Sequence, residues 1–196
     1  MNVIRAFIAV SLSPEIYQNL EGVVRQLKER LPGVAVRWVT VKNVHLTLKF
    51  LGDVSVSNLE ILTKILQSEA SHHAPFEFSV GELGAFPSIR RPRVIWVGVE
   101  APAELHALQH GIEVETQRLG YAREDREFSP HLTLGRVSRN AASRDIQRIS
   151  DVVGSYKVGF LGAARVQAVN LYRSDLQPGG AVYTQLYSAP LSEHNP

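Results

Sequence analysis

The sequence predicts an α+β fold made of two related lobes within one unit, residues 1–196. Three observations lead there. Segments with the alternation of strands and segments with the spacing of helices succeed one another as strand, helix, strands, helix, strands, and that order comes twice with variations. The tetrapeptide His-Leu-Thr-Leu also comes twice, at residues 45–48 and 131–134, a separation of 86 residues that is close to half the chain. No low-complexity linker divides the chain, and strands following directly on strands favour antiparallel hairpins over a doubly wound parallel sheet.

The elements follow in order. Residues 3–12 alternate and are rich in β formers, which predicts the first strand. Ser13-Pro14-Glu15 opens a helix, with serine as cap and proline in the first turn, that runs to about Arg30 and stops before Leu31-Pro32-Gly33. Residues 36–39 make a short strand, and residues 43–51 the first motif strand, ended by Gly52-Asp53. Leu59, Leu62, Ile65 and Leu66 give residues 57–71 a helical apolar face. Residues 76–83 read as a strand, then an irregular stretch runs from Phe86-Pro87 to Pro92. A strong strand over 93–100 leads to a helix over 102–119, ended by Gly120. Pro130 holds Ser129 extended at the entry to the second motif strand, 131–137. Residues 141–152 read as a helix, 157–172 as one long strand broken at Gly159 or Gly162, and 182–190 as the last strand.

Composition narrows the function. The chain has no cysteine, which removes thiolate nucleophiles, disulfides and cysteine-bound zinc together. No apolar run approaches the ~20 residues of a membrane span, and the first residues read as a strand, not a signal peptide, so a cytoplasmic protein without membrane attachment is expected. A net charge of +2 is too small for a protein that coats nucleic acid. Sixteen of the 21 basic residues are arginine, however, whose planar fork suits phosphate. There is no GxGxxG loop and no GxxxxGK[ST] loop, which argues against ATP-driven chemistry. His106 and His110 stand one helical turn apart, but His-Ala-Leu-Gln-His lacks the glutamate of a zinc-protease motif and reads as a solvated helix face, so no metal is expected.

The repeated tetrapeptide carries the chemistry. On a strand, His45 and Thr47 point to one face while Leu46 and Leu48 point to the other, and His131 and Thr133 separate in the same way from Leu132 and Leu134. Two such strands can press their leucines into a core and offer two imidazoles and two hydroxyls to one small anion.

With these flanks the chain resembles the RNA 2',3'-cyclic phosphodiesterase family, also called 2'-5' RNA ligases, within the two-histidine phosphoesterases. The matching residues run from Arg5-Ala-Phe-Ile-Ala-Val through Arg37-Trp38-Val39 and Asn43-Val-His-Leu-Thr-Leu-Lys-Phe-Leu-Gly52. They continue through Pro92-Arg-Val-Ile-Trp-Val-Gly98 and Phe128-Ser-Pro-His-Leu-Thr-Leu-Gly-Arg136, and close with Leu171-Tyr-Arg-Ser174 and Gly179-Gly-Ala-Val-Tyr183. The resemblance implies two pseudo-symmetric lobes, each with an antiparallel sheet and outer helices, with the HxTx strands lining the cleft between them. It implies hydrolysis of an RNA 2',3'-cyclic phosphate to a 2'-phosphate without metal, ATP or other cofactor, and the reverse joining of a cyclic end to a 5'-hydroxyl. The substrate would be RNA ends, tRNA fragments among the possible sources, and nothing demands more than a monomer.

On this footing His45 is expected to donate the proton to the departing 3'-oxygen and His131 to take one from water, with the roles open to exchange. Thr47 and Thr133 would donate to the non-bridging oxygens. Arg136 would face away from His131 on a regular strand and reaches the phosphate only if Gly135 bends it. Trp38 and Phe86 could stack on the terminal base, and Trp38 reads equally well as core. Lys49 shares the face of His45 by parity and would add positive potential. Arg90, Arg91 and Arg93 flank a proline loop, either touching RNA or solvated. Two other readings use the same residues: 2'-5' joining as the working direction, and a binding module for RNA ends without turnover. A third is an enzyme for small cyclic nucleotides, whose cleft would lack a basic track beyond the site.

Overall fold

The computed structural model describes residues 2–178 and 180–192; Gly179 of the closing motif lies outside the described residues. Two antiparallel sheets form the frame. One orders β3 (Leu46–Ser55), β1 (Val3–Val10), β8 (Ala168–Gln177) and β9 (Gly180–Pro190). The other orders β2 (Val36–Trp38), β6 (His131–Val137), β5 (Arg91–Glu100), β4 (Phe76–Ser88) and β7 (Phe160–Val166). The run β3-β1-β8-β9 corresponds to β6-β5-β4-β7, with β2 as an added edge, so the repeated tetrapeptide falls on matching strands.

Four helices, α1 (Pro14–Arg30), α2 (Leu59–Ala70), α3 (Ala103–Arg118) and α4 (Ser143–Ser155), cover these sheets. Helix α1 starts where Ser13 Oγ accepts the Ile16 amide, and buries Ile16, Leu20, Val23, Val24 and Leu27 as one stripe. Although α1 follows β1, it lies on β7 of the other sheet, where Asn19 Nδ2 donates to the Leu161 carbonyl at 2.8 Å. Helix α3 crosses in the opposite sense: it follows β5 but packs on β3 and α2. Helices α2 and α4 stay with β8–β9 and β4–β5 respectively. Each sheet thus presents one face to helices, with Ile8, Val10, Leu46, Ile95, Val97 and Leu132 wholly buried there. The opposite faces carry His45, Thr47, His131 and Thr133 towards a shared cavity.

Three expectations need correction. The first motif strand begins only at Leu46, because residues 41–43 make a 3-10 turn, and it runs past Gly52 to Ser55. Gly52 continues the strand at φ +67, beside a register shift against β1. The stretch around Phe86-Pro87 and Pro92 is not irregular: β4 continues to Ser88 and pairs closely with β5. The two prolines oppose each other near the end of that ladder, beside a register shift, where a missing amide is tolerated. The segment 157–172 is not one strand. It splits at Gln167 into β7 and β8, which belong to different sheets, so the chain changes lobe between Val166 and Ala168.

Candidate active site

Both motif strands carry the same defect at the same place. In the ladder between β1 and β3, Ala9 opposes Thr47 and Ile8 opposes Lys49, so Leu48 is an extra residue. Between β5 and β6, Trp96 opposes Thr133 and Ile95 opposes Gly135, so Leu134 is the extra residue. Each is a β-bulge, two residues against one, and it reverses facing for everything that follows. Arg136 therefore opposes Val94 on the cleft side, and both Arg136 and Thr133 line the cavity. The bend that Arg136 needs is supplied at Leu134, with Gly135 fitting beneath it. A Cβ on Gly135 would stand 2.9 Å from Val36 Cγ1 and 3.0 Å from the Trp38 ring. The same reversal turns Phe50, five residues after His45, into the cleft, where it is 57% exposed.

The two histidines sit in matched pockets. His131 Nδ1 donates to the Ser129 carbonyl at 2.7 Å, and the His45 ring is held by the backbone of Asn43, again two residues upstream. A proton fixed on Nδ1 of His131 leaves Nε2 as the free acceptor. Asn43 is anchored by its own Nδ2, which donates to the Ala181 carbonyl at 2.8 Å, and Tyr17 donates to the Val44 carbonyl at 3.1 Å. Aromatic rings wall both imidazoles. Phe7 stacks on His45 with centroids 4.6 Å apart, and Tyr183 meets it edge-on at 5.1 Å. Phe86 meets His131 edge-on at 4.9 Å, and Trp96 lies at 6.4 Å.

These walls set the charge state. Burial pushes the His45 pKa down to about 4, against the raising effect of its Asn43 bond. Burial lowers His131 as well, opposed by the Ser129 bond and reinforced by the Arg136 charge. Both rings are neutral in the free cleft at pH 7. Burial raises Tyr183, while Arg136, Arg37 and Arg5 pull it back down, which places three guanidinium groups around this phenol.

The cavity holds about 380 Å³ and takes both histidines, Thr47, Thr133, Arg136 and Phe86 into one wall-to-wall space. Neither threonine hydroxyl is engaged by another protein group among the described residues, so both are free for a ligand. The remaining expectations fare differently. Lys49 borders the cavity but is only 1% exposed, since the bulge turns it inward. Its ammonium pairs with Glu113 on α3 and donates to the Ala122 carbonyl, so its charge is neutralised and not offered to the cleft. Trp38 lies outside the cavity. It packs beside Gly135 on the face of β2 opposite Arg37, where it completes the core. Arg90 and Arg91 also lie outside, at the tip of the β4–β5 hairpin beyond the facing Pro87 and Pro92. His106 is exposed and touches Phe128 edge-on at 5.7 Å.

Phe50 and Tyr183 line the cavity, and the Arg37 charge acts on Tyr183 from outside it; sequence reasoning assigns none of the three a role there. A signal for Phe50 exists: aligning the two tetrapeptides places it opposite Arg136 in the repeat. Arg37 needs the register of β2 against β6, which the sequence does not state.

A family model described as LigT like Phosphoesterase matches residues 10–96. An RNA 2',3'-cyclic phosphodiesterase of Methanothermobacter thermautotrophicus is 34% identical over 183 residues, covering 93% of this chain and 96% of that protein. A crystal structure from Thermus thermophilus superposes with a TM-score of 0.80 at 27% identity, covering 97% of this chain and 100% of the other. The crystal structure of Escherichia coli LigT complexed with 3'-AMP superposes with a TM-score of 0.74 at 26% identity, covering 97% and 99%.

Proposed function

Since the chain belongs to the LigT-like phosphoesterase family, we propose that it hydrolyses RNA 2',3'-cyclic phosphate ends to 2'-phosphates. The observation that carries this reading is the matched pair of imidazoles, each tied to a carbonyl two residues upstream and both facing one cavity. Relatives named as RNA 2',3'-cyclic phosphodiesterases, alike over nearly their whole length, support it.

The reaction needs one base and one acid on opposite sides of phosphorus. Neutral His131 takes a proton from water through Nε2 as the water oxygen attacks phosphorus in line with the 3'-oxygen. The P–O3' bond breaks, and His45 gives its proton to the departing 3'-oxygen, leaving a 2'-phosphate and a 3'-hydroxyl. With a free-cleft pKa of about 4, His45 must gain that proton as the anionic phosphate binds. Thr47 and Thr133 donate to the non-bridging oxygens, Arg136 offsets their charge, and Phe50 or Phe86 receives the terminal base. These groups supply acid, base and charge stabilisation without a metal or ATP. Run backwards, with a 5'-hydroxyl in place of water, the same groups would form a 2'-5' bond. The working form is a cytoplasmic monomer acting on RNA fragments, tRNA pieces among them.

The test is incubation with excess EDTA and a short RNA ending in 2',3'-cyclic phosphate, followed by identification of the product isomer. A 2'-phosphate that is lost in His45→Ala and His131→Ala is the expected result. A 3'-phosphate product, full activity in either variant, or tight binding without turnover would overturn the reading.

A further inference from the structure

A second hollow of about 1050 Å³ opens beside the catalytic cavity, at the ends of β2, β5 and β6. Its polar lining is dominated by four arginines, Arg37, Arg93, Arg136 and Arg139, and includes no carboxylate. None of the four pairs with a carboxylate anywhere among the described residues. Arg37 and Arg136 are direct cross-strand partners, an arrangement of like charges that costs stability unless an anion lies between them. Arg93 Nη1 donates to the Ser138 carbonyl at 3.1 Å, which steadies the turn that carries Arg139. Arg136 lines both hollows and so joins them. The other flank of the catalytic cavity has the opposite bias, with Glu124 and Glu127 against Arg126. A polyanion leaving the cleft is repelled on that side and attracted on this one.

We propose that this arginine groove binds the phosphodiester backbone of the RNA strand whose cyclic end occupies the cleft, on the 5' side of its terminal nucleotide. The inference rests on the reading of the cleft as a cyclic-phosphate site. It goes beyond that reading by making the enzyme a discriminator for strands over single nucleotides. The like-charged Arg37–Arg136 pair is then retained because a phosphate bridges it in the complex.

The test compares kcat/KM for a nucleoside 2',3'-cyclic phosphate and for a tetranucleotide with the same terminal nucleotide. Arg136 meets the cyclic phosphate of both substrates, so the contacts to Arg37, Arg93 and Arg139 predict an advantage of about tenfold for the longer substrate at low salt. That ratio should fall towards one in Arg139→Gln and in Arg37→Gln. In parallel, anisotropy of the labelled tetranucleotide is measured against salt. Each variant should flatten the logarithmic salt slope by about 0.7, the value for one lost contact to a single strand. Equal kcat/KM for both substrates, or unchanged salt slopes in both variants, would overturn the groove. A salt-dependent affinity for a separate 5'-hydroxyl oligonucleotide, with none for the cyclic-ended strand, would also overturn it by giving the groove to a second strand. If neither substrate turns over, the proposed hydrolysis fails, while the anisotropy slopes still decide whether the groove binds RNA.

Discussion

His45 illustrates how one side chain can be placed for chemistry at the expense of its own charge. The stacked Phe7 and the edge of Tyr183 displace the water that would hydrate an imidazolium. An NMR titration of the free protein should find this ring at a pKa of about 4, and inorganic phosphate or a 3'-nucleotide should raise it. The same depression predicts how stability varies with acidity. An unfolded histidine binds its proton near pH 6.5, before the folded one does at about 4. The stabilisation is therefore complete above pH 6.5 and is lost as pH falls to 4, by up to about 3 kcal/mol. In urea titrations at pH 7 and 4.5, His45→Gln should lose less stability on acidification than the parent protein. Thr47→Ala and Thr133→Ala should each lower kcat by ~10²–10³ with little change in fold. The residues that sequence parity placed correctly are those before the bulges, His45, Thr47, His131 and Thr133. Lys49 and Arg136 lie beyond them, and parity placed both on the wrong face.

At the scale of elements, the bulge at Leu48 is secured by a buried network. Gln109 Nε2 on α3 donates to the Leu48 carbonyl at 3.4 Å and to Glu113 Oε2 at 3.3 Å. Glu113 Oε1 accepts from Lys49 and from the Glu124 amide at 3.0 Å, tying β3, α3 and the segment that leads to His131. Lys49→Met would leave the Glu113 carboxylate buried without its cation, and a loss of ~3–5 kcal/mol is expected in urea unfolding. Replacing both partners, as Lys49→Met with Glu113→Leu, should recover most of that loss while leaving the Glu124 amide unanswered. On the opposite sheet, Gly84 lies under the Trp96 ring, where a Cβ would overlap it. Gly84→Ala should displace Trp96 from its place near Phe86 and His131, lowering both melting temperature and kcat. Helix limits were legible because caps and spacing are local signals: Ser13-Pro14 opens α1 and Arg30 ends it. The pairing of β4 with β5 past the facing Pro87 and Pro92 and the break at Gln167 are not legible, because the partner strand decides both.

For the molecule as a whole, the chain weaves between its two sheets. Strand β1 lies in one, β2 in the other, β3 returns to the first, β4 to β7 stay in the second, and β8 and β9 return. Helices α1 and α3 each cover the sheet that their preceding strand does not join. The repeat in the sequence falls on two sheets of matching strand order, but it does not state that each sheet draws on both halves of the chain. One cooperative unfolding transition is expected, with tryptophan fluorescence and far-ultraviolet circular dichroism coinciding at all denaturant concentrations. The weave also suits the protein to reassembly from pieces. A break in the exposed turn at Ile89 and Arg90 would leave β1 to β4 on one fragment and β5 to β9 on the other. Neither fragment holds a complete sheet, and each carries one histidine of the pair. Co-expressed as separate polypeptides, the halves would acquire a working cleft only by finding each other, so turnover would report their encounter.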